Sequence, residues 1–528
     1  MHFRKKHPAI ALPLVAVFLL AALFQGSAAA GEKVKQPATG KKQWKEVNSK
    51  SYWYSMRMMR QKIGWARITE KEIKSGDEVR KVTEDVFFMK LNRGGGEILE
   101  DTKTSRAVSD PDGRLITYHT ESSSPGQEST ITRIIRKGEK LIIINTVGAT
   151  CKAKEVDVPE KFSGELFREF MAKEYKVGLK VSGKVFNTGS QRVIDESYEI
   201  IAREDVEWMG RTVEAWVVNM TEKSGLEDMT ITVYVTDDEK EAPLKMTIAG
   251  GMIAVIRTSE QDAKDLSGDF DAGIEFSVKV SPPVRDPESV RAAKVVLSGA
   301  PDAIYEFANQ KKTKDLGGGR TEWLFTSPDF SVDNALQIPV AAAEGIEKFL
   351  KPTVYIQSDS GKIKEKAKEI IGDEKNALHA LRKISQWVYF NIGEKNFSVG
   401  FASAAETLKS RTGDCTEHSV LTIALARAVG IPARGADGFG FSGDAFIYHM
   451  WVEGYVGKDT WVAVDPALGQ PVPDALHIKL YHGDVSPEAS LDSTVRILKT
   501  LGRMKVEILE IKREGMTEWK KTAPQKKK

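Results

Sequence analysis

Between residues 52 and 280 polar and apolar residues alternate in short runs, and a period of two admits little except β-strands wetted on one face. The runs include YWYSMRM, KIGWARITEKEI, KVTEDVFFMKL, RLITYHTES, TRIIRKGEKLIIIN, TVEAWVVNMTE and DMTITVYVTD. Turn residues such as Asp110-Pro111-Asp112-Gly113 punctuate them. The pattern predicts a curved antiparallel sheet, or two related sheets meeting near residues 155–190, where SGELFREFMAKEY (163–175) has a helix-like pattern instead. Met56, Met58, Met59, Met246 and Met252 fall in this region. They could line a lipid groove, but methionines on strands more often fill a core.

The chain begins differently. Arg4, Lys5 and Lys6 precede an apolar run from Ala9 to Phe24, and Ala28-Ala29-Ala30 supplies a small-residue cleavage pattern before Gly31. This reads as a secretory signal peptide, short for a membrane span, with an uncleaved anchor as the minority alternative. The expected location is therefore exported, periplasmic or extracellular, with no integral membrane span once the signal is removed. Residues 1–30 hold no acidic residue, so the remaining chain balances 74 basic against 74 acidic side chains. That neutrality gives no support to nucleic-acid or membrane-surface binding. The lysines at 520, 521 and 526–528 read as a solvated tail.

Chemistry concentrates between Arg411 and Gln470. Cys415 stands before a run in which Val420, Leu421, Ala424, Leu425, Ala428 and Val429 share one helical stripe, stopped by Gly430 and Pro432. Asp414 and Glu417 have capping-box spacing, which makes Cys415 the first helical residue. The helix dipole there favours thiolate by about 0.3–1 kcal/mol, while the two carboxylates oppose it, so the sulfur needs a cationic partner. The partner expected is His449, on AFIYHMWVEGYVGKDTWVAVDP, which reads as a hairpin. If its turn centres on Gly457, His449 lies directly opposite Asp465, with Cβ atoms roughly 4.5–5.5 Å apart. A one-residue slip would reverse the faces. Trp451 and Glu453 share the His449 face and are expected as pocket wall or support, as is Trp461. His418 is a rival base with no visible carboxylate to orient it. Taken singly, each of the three residues is more often structural than catalytic; their joint order and context favour catalysis.

These residues carry a family resemblance. GDC at the helix start, GIPAR (430–434), HMWVE (449–453) and WVAVDP (461–466) resemble the transglutaminase-like (papain-like thiol) superfamily, strongly over about 345–480. Upstream the resemblance continues more weakly into the form of large exported bacterial members with a β-rich N-terminal region. It implies an α+β fold, an N-terminal antiparallel β-rich region followed by a transglutaminase-like, papain-type core. It also implies Cys415 as nucleophile, His449 as general base and acid, and Asp465 as orienting carboxylate. Helix patterns at GKIKEKAKEII, KNALHALRKISQWVYFNI and ASAAETLKS before the GDC turn fit that core.

The expected organisation is a signal peptide (1–30), a polar linker (31–51), the β-rich region (52–280), a β-containing junction (281–345) and the catalytic domain (346–485). VRILKT and MKVEILEIK then form a closing strand pair within 486–528. The expected function is a cysteine-dependent amide or peptide hydrolase, or an acyl transferase, working through a thioester on a protein or peptide. Hydrolysis is preferred because water is the abundant acceptor. The alternative is a non-catalytic envelope binding or assembly protein using the β-rich region to meet a partner. No cofactor and no metal set is expected: His477 and His482 read as a surface turn, and the glycine runs at 94–96 and 317–319 read as turns. Cys151, ending LIIINTVGATC, is expected to be a small buried residue and not a disulfide partner of Cys415.

Overall fold

The computed structural model describes residues 43–522, apart from 93–97, 224–227, 239–241, 268–274, 281–282, 328–329, 342–343, 394–400 and 458. The expected signal segment, the glycine run at 94–96 and the last three lysines lie outside the described residues. Among the described residues no helix is long and apolar enough to cross a membrane. The chain divides into two compact units, one built on Leu14–Leu91 and Glu100–Phe270, the other mainly on Asp271–Lys528.

The alternating runs of the first unit form a single sheet of fourteen strands. Eight strands, from Lys45–Met58 to Thr150–Asp157, make one meander, and six, from Lys180–Asn187 to Ile253–Thr258, make a second. The first strand of one pairs with the last strand of the other, Trp53 opposite Thr258 and Met58 opposite Ile253. Continuous pairing replaces the expected option of two sheets meeting near 155–190, where the two ends of the strand order lie instead. The expected helix occupies Ser163–Met171 between those edge strands in sequence. Its Leu166 packs over Gly183 and its Phe170 stacks on Tyr198 at 5.3 Å.

Alternation buries one set of strand residues, among them Met56, Met58, Phe87, Met89, Met246 and Ile253. Three of the five noted methionines are thus core residues, whereas Met59 is exposed and Met252 sits half-buried at a turn. Buried positions also carry Asp85, Asp101, Lys103, Glu196 and Glu222. One boundary and one burial differ from expectation. The first strand starts at Lys45, inside the supposed polar linker. Cys151 is exposed, because Thr150–Asp157 is an edge strand whose alternate residues face solvent.

The second unit has two five-stranded sheets. One runs in the order Gln310–Gly317, Arg320–Thr326, Val290–Ser298, Lys505–Arg513, Lys520–Lys521, so the junction strands pair with the end of the chain. Of the expected closing strand pair only Lys505–Arg513 is extended; VRILKT ends the helix Pro487–Thr500. Ser486 caps that helix and Pro487 opens it, a start signal that outweighs the β-branched residues later in the run. The other sheet runs Val278–Lys279, Ala445–Gly457, Ala433–Ser442, His477–Gly483, with Thr460–Val464 added beside Ala445–Gly457. Helices Gly361–Ile371, Ala377–Asn391 and Ala404–Ser410 pack around a fourth, Cys415–Ala428, which lies against the two central strands.

Candidate active site

Cys415 is the first residue of its helix, as the capping spacing predicts. The Asp414 carboxylate accepts from the Thr416 N–H at 2.8 Å, and Glu417 reaches back to the Asp414 N–H at 2.9 Å. The other Glu417 oxygen accepts from the Ala402 N–H at 3.0 Å, tying the preceding loop to the helix start. Asp414 and Glu417 are therefore buried scaffold around the cysteine. The helix is not a one-sided stripe: every residue from Glu417 to Arg427 is buried, because helices cover the faces that the sheet leaves open. His418, the rival base, turns its Nδ1 back onto the Asp414 carbonyl at 2.7 Å.

The Cys415 sulfur lies against the histidine strand. The Met450 N–H faces the sulfur and favours thiolate, yet burial first, then Asp414, Glu417 and Asp465, push the thiol well above its ordinary pKa. One turn further, Ser419 Oγ donates to the Met450 carbonyl at 3.1 Å, so helix and strand are joined beside His449.

His449 donates from Nε2 to Asp465 Oδ2 at 2.7 Å. The two residues are not cross-strand partners. Val452 pairs with Val464 and Tyr455 with Trp461, which centres the hairpin on residue 458 and not on Gly457. Asp465 lies just past the paired strand, closes a backbone bridge with Gln470, and reaches His449 diagonally. Its Oδ1 accepts from the N–H groups of Ala467 and Leu468 at 2.8 and 2.9 Å. Burial raises the Asp465 pKa, but the adjoining imidazoles more than offset it and hold the carboxyl far below the usual carboxylate range.

A second histidine meets the same oxygen. His477 Nε2 is 3.1 Å from Asp465 Oδ2, and its Nδ1 is 3.1 Å from Asp474 Oδ1. The expected surface turn is in fact a buried strand, with His477 5% exposed. The HIKLYH alternation was a legible strand signal, but nothing local marks His477 as a neighbour of Asp465. His449, Asp465 and His477 offer nitrogen and oxygen atoms within 4.8 Å of one another, near enough for a metal ion to bridge. The imidazole–carboxylate contacts are already at hydrogen-bond distance, and a proton in each accounts for the spacing.

Trp451 stacks near His449, ring centroids 6.1 Å apart, and meets His477 edge-on at 5.2 Å. Glu453 stands further along the strand in a buried ion triad, 2.8 Å from Arg434 and 2.6 Å from Lys479. Burial works against its charge, yet the two cations draw its pKa down to about 2. Trp461 lies under the Arg434 guanidinium, 3.8 Å from ring centroid to carbon, and so supports the triad rather than the thiol.

Residues 364–466, which include Cys415, His449 and Asp465, match the family model of the transglutaminase-like superfamily. Over 93 residues the chain is 34% identical to an uncharacterized protein of Haemophilus influenzae; the match spans 17% of this chain and 25% of that relative's length. Among solved structures it is similar to "a Putative Cysteine Protease from Cytophaga hutchinsonii" (20% identity, 45% of this chain and 89% of that one, TM-score 0.30). It is similar also to a beta-barrel-like protein of a domain of unknown function from Brucella abortus (12% identity, 39% and 94%, TM-score 0.28). Over residues 364–466, with the cysteine at a helix start and the histidine on the strand beside it, the chain carries a transglutaminase-like superfamily domain.

Proposed function

We propose that the chain is an exported cysteine-dependent enzyme of amide acyl transfer, with Cys415 as nucleophile, His449 as base and acid, and Asp465 as the group that orients His449. The observation that carries this reading is the 2.7 Å bond from His449 Nε2 to Asp465, which leaves Nδ1 as the ring nitrogen free to serve the sulfur. Because burial keeps Cys415 protonated at rest, His449 removes the proton as the sulfur attacks. The S–C bond forms at the amide carbonyl and the electron pair moves to oxygen, where the Cys415 N–H at the helix start donates to it. Collapse expels the amine, which takes the proton from His449, and leaves a thioester. Water then attacks the thioester with His449 as base, the C–S bond breaks to release the acid, and His449 returns its proton to the sulfur; a lysine amine in water's place would cross-link. Hydrolysis is the preferred outcome, on a protein or peptide substrate.

The test is mass spectrometry of Cys415 after incubation with a mixed peptide pool. The parent, quenched during turnover, should carry acyl adducts on Cys415; His449→Ala should carry far fewer, because nothing deprotonates its thiol, and Cys415→Ala none. Turnover that survives Cys415→Ala would end the proposal.

Burial of the Cys415 thiol, 9% exposed, favours a second reading, an envelope protein that binds through its β-rich unit and whose thiol is inert. Under that reading iodoacetamide would modify Cys415 no faster than a free thiol, with no titration dependent on His449.

A further inference from the structure

We propose that His477 is a positioning residue for the reaction, a fixed imidazolium clamped between Asp465 and Asp474 that holds Asp465 in place and offsets its charge as His449 sees it. This rests on the catalytic reading of Cys415, His449 and Asp465 given above. His477 and Asp474 lie beyond the residues matched by the family model.

The geometry fixes the protonation. A carboxylate only accepts, so an imidazole with one ring nitrogen on Asp465 and the other on Asp474 donates from both and carries both protons. Burial disfavours that charge, but Asp474 and Asp465 together raise the His477 pKa to about 10. Asp474 is itself held. Gln470 Nε2 donates to its Oδ2 at 2.8 Å, the Leu476 N–H donates to its Oδ1 at 2.8 Å, and Gln470 Oε1 accepts the Asp474 N–H. Gln470 is the residue whose backbone bridges Asp465, so one loop sets both carboxylates. The charged or titratable groups facing His477 are Asp465, Asp474 and, across the shared oxygen, His449; Trp451 meets it with an uncharged ring edge.

The consequence follows from charge. The His477 cation shares the same oxygen, so it offsets the carboxylate charge that faces His449 and stops the carboxylate from rotating away.

The experiment follows the pH dependence of iodoacetamide alkylation at Cys415, in full-length protein carrying Cys151→Ser so that one thiol remains. The parent should show an inflection that vanishes in His449→Ala. In His477→Gln, and in Asp474→Asn, which removes the anion that keeps His477 charged, that inflection should move upward by about one pH unit. Peptide turnover should fall mainly in kcat. An inflection that depends on His449 but stays in place in both variants overturns the inference and leaves the catalytic reading intact. No inflection dependent on His449 in the parent overturns the catalytic reading itself. If His477→Gln does not fold, Asp474→Asn decides alone, since it keeps the imidazole in the core.

Discussion

Asp465 bonds to His449 at 2.7 Å from a position that the sheet does not pair with it. Its place depends on the turn after the strand, where its second oxygen caps Ala467 and Leu468 and its backbone bridges Gln470. Orientation of the imidazole is therefore a property of a loop.

Asp465→Asn should lower peptide turnover by about 10²–10⁴-fold, because an amide oxygen can still cap the turn but the charge facing His449 is gone. Circular dichroism should remain that of the parent, and steady-state kinetics on one peptide substrate measures the loss.

Gly440→Ala should damage activity more than stability. A Cβ at Gly440 would stand 2.8 Å from His449 Cδ2, so the ring must shift while Asp465 holds its far nitrogen. A displacement of this order is expected to cost about 10–100-fold in turnover. Urea unfolding should register about 1–3 kcal/mol at most.

Glu453→Gln should destabilise the second unit by about 3–5 kcal/mol, since it leaves the buried Lys479 and the half-buried Arg434 without their anion. Glu453 has a folded pKa of about 2 against an ordinary 4.5, so the parent's ion-paired contribution is complete above pH 4.5 and is lost as pH falls through 2. Urea titrations between pH 2 and 6 should show that slope in the parent and not in the variant.

Glu222→Gln should act in the opposite pH direction, in the β-rich unit. Burial first, then Glu196, raises Glu222 to about 8, so its protonated form is the one that folds. The parent should lose stability, on the order of a few kcal/mol, as pH rises from 4.5 through 8. The glutamine variant, which cannot ionise, should lose less, as thermal melts at pH 5 and pH 9 would show.

The cysteine end of the site was legible because its signals are local. Asp414, Cys415 and Glu417 specify a helix start through contacts three residues apart, and these form as the spacing predicts. The hairpin of His449 was legible too, but its register was not. A turn centre one residue away from Gly457 changes every partner, and the choice is made by strand pairing. His477 was misread for the same reason: its strand becomes a buried one only when paired with Ala433–Ser442. VRILKT reads as a strand in isolation, although Ser486-Pro487 upstream marks a helix start.

By itself the sequence determined the local elements: a β-rich region from its period of two, a capped helix beginning at Cys415, and a His-bearing strand followed by an Asp-bearing turn. Tertiary structure alone decided that the alternating strands form one fourteen-stranded sheet, and that two imidazoles converge on one Asp465 oxygen. The physical reason is range. Capping and periodicity act within a few residues, whereas strand order and the convergence of buried charges are fixed by the pairing of segments distant in the chain.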